Sequence, residues 1–139
     1  MTVKQLSVFI ENKPGTMVNI TNALGKANVD IRAMSLADTQ DFGILRLMVS
    51  DTEKARVSLS EIGCITSVTE VIAAAVPDTP GAMTEMIKLL SENEINIEYM
   101  YAFVAPDDNH AYVVFRVKET DKAVSVLKDA GIALKSEIR

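Results

Sequence analysis

Glu11-Asn-Lys-Pro-Gly-Thr-Met17 and Pro77-Asp-Thr-Pro-Gly-Ala-Met83 carry the same Pro-Gly-x-Met pattern, 66 residues apart. Reading outward from them shows that the likeness extends along the chain. At the same offset Ile20 meets Met86, Leu24 meets Leu90, Val29 meets Ile95, Ile31 meets Ile97 and Met34 meets Met100. At an offset of 68, Leu47 meets Phe115, Val49 meets Val117, Lys54 meets Lys122, Leu59 meets Leu127 and Gly63 meets Gly131. The chain is therefore an internal duplication. The change of offset places a two-residue insertion near Val104–Asn109, in a run of turn composition where insertions are tolerated.

Each copy resolves into the same six elements. Gln5–Glu11 alternates as a strand does, and Thr16–Asn28 sets Met17, Ile20, Leu24 and Ala27 at helical spacing, matched by Met83, Met86, Ile87 and Leu90. Val29–Leu36 and Ile95–Phe103 read as second strands, the latter from the alternation Ile95, Ile97, Tyr99, Tyr101, Phe103. Phe42–Val49 and Ala111–Lys118 are rich in β-branched and aromatic residues and read as third strands. Ser50-Asp51-Thr52-Glu53, as a capping box, and Thr120, as an N-cap, start second helices that Gly63 and Gly131 stop in the left-handed conformation. Fourth strands are expected at Ile65–Glu70 and Ala133–Ile138. The result is an α+β fold of two ferredoxin-like βαββαβ modules in tandem, residues 1–70 and 71–139. Each is a four-stranded antiparallel sheet with two helices on one face, and the two are joined without a linker.

Composition narrows the function. The 139 residues hold one cysteine, Cys64, and one histidine, His110, so no internal disulfide and no Cys/His metal cluster can form; metal and cofactor are both expected to be absent. The formal charge of −5 argues against a surface that tracks phosphates, and the central strands of the first copy lack the aromatic and basic pattern that stacks bases, so no nucleic-acid partner is expected. No apolar run reaches the length of a membrane helix, and the N-terminus passes straight into strand alternation without a signal-peptide pattern; a cytoplasmic protein without a membrane partner is the expectation. Cys64 follows a helix C-terminus, where the dipole disfavours a thiolate, and the acid pairs Glu92/Glu94 and Asp107/Asp108 read as surface. No convincing catalytic set emerges, and the chain does not read as an enzyme.

The shared loop is the remaining candidate. Proline presets the turn into a helix, glycine permits close approach to the backbone, and the first helical turn offers N–H groups to an anion or carboxylate. The same residues are also those of a plain helix start, so both readings stay open.

Strand, Asn/Asp-x-Pro-Gly, amphipathic helix and then Ala27-Asn-Val-Asp-Ile31 or Asn93-Glu-Ile-Asn-Ile97 resembles the ACT domain, an amino-acid-sensing module attached to many biosynthetic enzymes. The resemblance covers the chain twice and leaves no catalytic domain over. It implies a regulatory protein that holds a small amino acid or related carboxylate between the two modules at the Pro-Gly loops and signals to a biosynthetic enzyme or regulator. In that family the ligand's carboxylate takes loop N–H groups, here around Pro14, Gly15 and Thr16 or Pro80, Gly81 and Ala82. Its ammonium meets oxygens at the positions of Asn12 or Asp78 and of Asp30 or Asn96, and Met17, Met34, Met83 and Met100 would line the side-chain pocket, although each methionine taken singly suits a core better. Asn12 with Lys13 suits a carboxylate better than Asp78 with Thr79, whose charge repels one unless it turns to the ammonium or caps the helix, so unequal sites are expected. Modules of this kind bury faces against one another, within the fused pair or in a homodimer. The alternative is a protein-interaction module of the same fold without ligand.

Overall fold

The computed structural model describes residues 1–138 except Asn12, 39–41 and 105–108. Its elements run β1 (Val3–Glu11), α1 (Thr16–Lys26), β2 (Ile31–Asp38), β3 (Phe42–Val49), α2 (Thr52–Glu61), β4 (Ile65–Pro77), α3 (Ala82–Glu92), β5 (Ile97–Val104), β6 (His110–Val117), α4 (Thr120–Asp129) and β7 (Ala133–Leu134). The chain divides into two compact units. The first is built on Lys4–Thr69 with Ile138, the second on Glu70–Glu137 with Met1–Val3.

In the first unit β3 lies between β2 and β1 and is antiparallel to both. Leu6, Val8, Ile10, Leu45 and Leu47 from the strands meet Ile20 and Leu24 of α1 and Ala55 and Leu59 of α2 in one core, so both helices cover the same face. In the second unit the order is β5-β6-β4-β7, all neighbours antiparallel, which is the ferredoxin-like order. Ile72, Ala74, Val113, Phe115, Met86, Leu90, Ala123 and Leu127 form the matching core. Burying one stripe of each helix supplies what short helices lack on their own, since nucleation in water is costly.

The helix ends explain where the spacing ran too far. Helical periodicity extends to Asn28, yet α1 ends at Lys26 because Asn28 turns left-handed at φ 58°. Its N–H reaches Gly25 O at 3.0 Å and that of Val29 reaches Leu24 O at 2.9 Å, the double bond of a Schellman motif. Glu94 does the same after α3, and Gly63 and Gly131, expected as left-handed stops, do it after α2 and α4. At the start of α2 the cap is Asp51, whose side chain accepts from Lys54 N at 3.1 Å, while Ser50 Oγ turns away to accept from Asp30 N at 2.9 Å. The N-cap of α4 is Glu119 rather than Thr120, which is already helical.

Strands also differ from expectation. The last one shortens to Ala133–Leu134, because after Lys135 N donates to Ala73 O at 2.8 Å the polar Ser136-Glu137 has nothing apolar to bury and bends away. β2 and β5 each carry a bulge just after their first residue. An extra residue shifts the alternation. Ile97 and Met100 therefore both pack on the core, while Tyr99, Tyr101 and Phe103 fall on the other face of the sheet.

Candidate functional site

Each Pro-Gly sequence forms a type II turn in which proline occupies the second position and glycine the third. Thr16 N donates to Lys13 O at 3.4 Å and Ala82 N to Thr79 O at 3.2 Å. Gly15 sits at φ 92° and Gly81 at φ 89°, the left-handed value that this turn demands. A Cβ at either glycine would meet nothing within 4 Å. Glycine is thus required by backbone conformation, and the space above it is open. The next residues start α1 and α3 with no side-chain cap from the glycine N-caps, so first-turn N–H groups lie beside that open space. Gly15→Ala and Gly81→Ala are each expected to cost about 1–2 kcal/mol, the penalty of a left-handed L-residue. Thermal unfolding of the two variants should show losses of similar size, because neither site adds a clash.

The loop side chains are open to solvent. Lys13 Nζ lies 3.1 Å from Glu11 Oε2, with both side chains about two-thirds exposed. An exposed pair of this kind is worth only about 0–1 kcal/mol, so Lys13 is readily redirected to a carboxylate. Asp78 N donates to Asn109 O at 2.9 Å, tying the second loop to the start of β6. Its carboxylate has no hydrogen bond or ion pair among the described residues. Asn12 lies outside the described residues.

The second-strand positions sit elsewhere. Asp30 and Ser50 exchange hydrogen bonds, Ser50 N donating to Asp30 O at 2.9 Å, and the Asp30 carboxylate pairs with Arg32. Ile31 stands opposite Val49 and Asp38 opposite Gly43, while Ile10 of β1 also stands opposite Gly43. The loop after β1 therefore lies at the Asp38 end of β2 and Asp30 at the other, separated along the strand by roughly 23 Å at 3.3 Å per residue. The second unit repeats this. Pro77 opposes His110 and Val104 opposes Ala111 at the loop end, whereas Asn96 precedes Ile97, which opposes Val117 at the far end. Neither unit brings its own Pro-Gly loop to its own Asp30 or Asn96.

Of the methionines, Met17 packs against the first core and Met83 and Met100 against the second, each half-buried, whereas Met34 on β2 is exposed. The partners of Asp30 were not legible in advance. Arg32 reaches back from the bulge and Ser50 comes from twenty residues away, and the only sequence signal was a serine left unused beside the capping Asp51. Cys64 is partly buried against the first core, and burial pushes its thiol pKa up. No group of three metal-ligating side chains comes together among the described residues, and none of their helices is long and apolar enough to cross a membrane.

Comparison with known proteins places this geometry. The family model of the ACT domain pair matches residues 1–137. Among solved structures, protein BT0572 from Bacteroides thetaiotaomicron is 39% identical with a TM-score of 0.91, over 97% of this chain and 92% of that one. The regulatory subunit of aspartate kinase from Thermus thermophilus, in its ligand-free form, superposes with a TM-score of 0.64 at 16% identity over 91% of each chain. E. coli aspartokinase III in complex with lysine and aspartate superposes at 0.54 and 14% identity, over 92% of this chain and 31% of that one. At the last two identities the likeness is one of fold. No curated protein matches the chain by sequence. The chain belongs to the ACT domain pair family and is a regulatory module, not a catalytic one.

Proposed function

We propose that this ACT pair is a cytoplasmic sensor of a free amino acid, which it binds at the Pro-Gly turns and reports to a biosynthetic enzyme or regulator. The observation that carries the reading is the repeated turn: in both copies a left-handed glycine with open space above it leads into first-turn N–H groups. Such N–H groups and the helix dipole together favour a carboxylate. Amino acids are the ligand class to test first because a fold-related protein, E. coli aspartokinase III, is seen with lysine and aspartate.

In this reading one unit supplies one wall of the site. Lys13, Pro14, Gly15 and Thr16, or Asp78, Thr79, Pro80, Gly81 and Ala82, receive the carboxylate, with Met17 or Met83 beside it. Asp30 or Asn96, with Met34 or Met100, comes from the second-strand end of another module. The far separation of the two groups within a unit supports that division, and the Arg32 contact at Asp30, absent at the matching Asn96-Ile97-Glu98, makes the sites chemically unequal.

A thermal-shift screen of the twenty amino acids against the full chain tests the proposal. A ligand at 100 times its dissociation constant is expected to stabilise the protein by about 2.7 kcal/mol. Asn12→Ala is expected to weaken binding more than Asp78→Ala, by calorimetry, because only the Asp78 loop sets a charge against a carboxylate. No shift with any amino acid would overturn the sensor reading and leave the ligand-free interaction module.

A further inference from the structure

On the outer side of the first unit, α1 and α2 leave a groove of about 690 Å³, lined by Ala23, Ala27, Val57, Ser58 and Ile62 among others. The space of about 310 Å³ beside α3 in the second unit shares only Leu89, Glu92 and Ala130 with the positions that match this groove, and no residue of α4 lines it. The two copies differ here in side-chain size. Ala23 and Ser58 of the first copy correspond to Leu89 and Val126 of the second, whose larger side chains take up the room. Conversely Val57, 44% exposed at the groove, corresponds to Ser125. The first copy thus sets small side chains in the groove and an apolar one at position 57, and the second copy reverses both.

The charges around the groove are ordered. Lys54, Val57 and Glu61 stand three and four residues apart on α2 and so share one stripe. The stripe reads cation, apolar, anion. Lys54 lies in the first helical turn and Glu61 at the last residue, each on the side where the helix dipole disfavours it. Among the described residues neither has an ion-pair partner. Reversed end for end about a point between Val57 and Ser58, the stripe sets Lys54 opposite Glu61 and Glu61 opposite Lys54, with Val57 at the centre. A surface complementary to itself under a two-fold rotation is what an isologous contact requires. The groove also carries little net charge: Lys26 and Lys54 stand beside Asp51, Glu53 and Glu61, and Arg56 pairs with Glu53, whereas the whole chain carries −5.

We infer that the α1–α2 groove is the docking surface for a second copy of this chain, with α2 packed antiparallel on the partner's α2 and each Val57 seated in the other's groove. The contact is independent of the Pro-Gly turns.

Sedimentation velocity of the full chain across a concentration series tests it. The wild-type chain is expected to dimerise. Lys54→Glu and Glu61→Lys are each expected to weaken dimerisation at least tenfold, since each sets like charges across the axis twice. The double variant Lys54→Glu/Glu61→Lys is expected to restore it, because opposite charges then face each other again. Both changes suit the helix dipole better than the native residues, so weakened folding does not explain a loss of dimer, and thermal unfolding checks that each variant is folded. Lys122→Glu, at the matching position of α4, is expected to leave the dimer unchanged. A wild-type chain that stays monomeric, single variants without effect, a double variant that stays dissociated, or an equal effect of Lys122→Glu would each overturn the proposal.

Discussion

Phe115→Ala is expected to lower the stability of this protein by about 3–5 kcal/mol, the usual cost of emptying a buried aromatic site. Phe115 is completely buried at the centre of the second core, on β6 between Ile72 of β4 and Met100 of β5. Its neighbours come from both sides of the sheet pairing and from the helices above, so they cannot all move in to fill the space. The repeat provides the comparison: Leu47 occupies the same place in the first copy, equally buried, and Leu47→Ala removes a smaller side chain. Urea unfolding of both variants measures the difference, and Phe115→Ala should be the more damaging. The experiment bears on the candidate site as well, since Met100 rests directly beside Phe115. A loss below about 1 kcal/mol would mean that this core collapses around the gap, contrary to the close packing seen in protein interiors.

Leu24→Ala and Leu90→Ala are each expected to cost about 2–5 kcal/mol, and to cost similar amounts. Both side chains are fully buried on the core-facing stripe of the first helix of their unit, one turn after Ile20 and Met86. Both backbones do the same second task. Leu24 O accepts from Val29 N and Leu90 O from Ile95 N, each at 2.9 Å, so the residue that fills the core also anchors the helix stop. Substitution by alanine leaves that hydrogen bond in place and removes only packing. Equal losses in chemical denaturation would show that the two copies kept the same core after they diverged on the surface. A loss at one position alone would show that one copy carries the stability.

Much of this fold could be read from residue types and spacings. The helical stripes, the glycine stops at Gly63 and Gly131 and the Pro-Gly turns are local features, decided by side-chain periodicity and by which residues tolerate a left-handed backbone. The misplacements have subtler causes, some local and some not. Asn28 and Glu94 end their helices in the left-handed region without being glycine, and nothing in Glu94 itself announces that. The bulges in β2 and β5 were invisible because an extra residue in one strand is defined only by what its partner strand opposes to it. Ser50 and Asp51 were adjacent candidates for one cap, and the backbone of Asp30 recruited the serine for another purpose.

The candidate site divides along the same line. That the chain is a duplication, that each copy is a βαββαβ module of the ACT type and that each begins its first helix with Pro-Gly were determined by the sequence alone. Spacing, turn chemistry and repetition act over a few residues or by direct likeness. That Asp30 lies at the opposite end of its unit from Pro14 and Gly15, that Arg32 occupies its carboxylate and that the small side chains Ala23 and Ser58 leave a groove beside Val57 were decided only by the tertiary structure. Strand register, ion pairing and the space between two helices depend on residues brought together from far apart in the chain, and no stretch of sequence read by itself contains them.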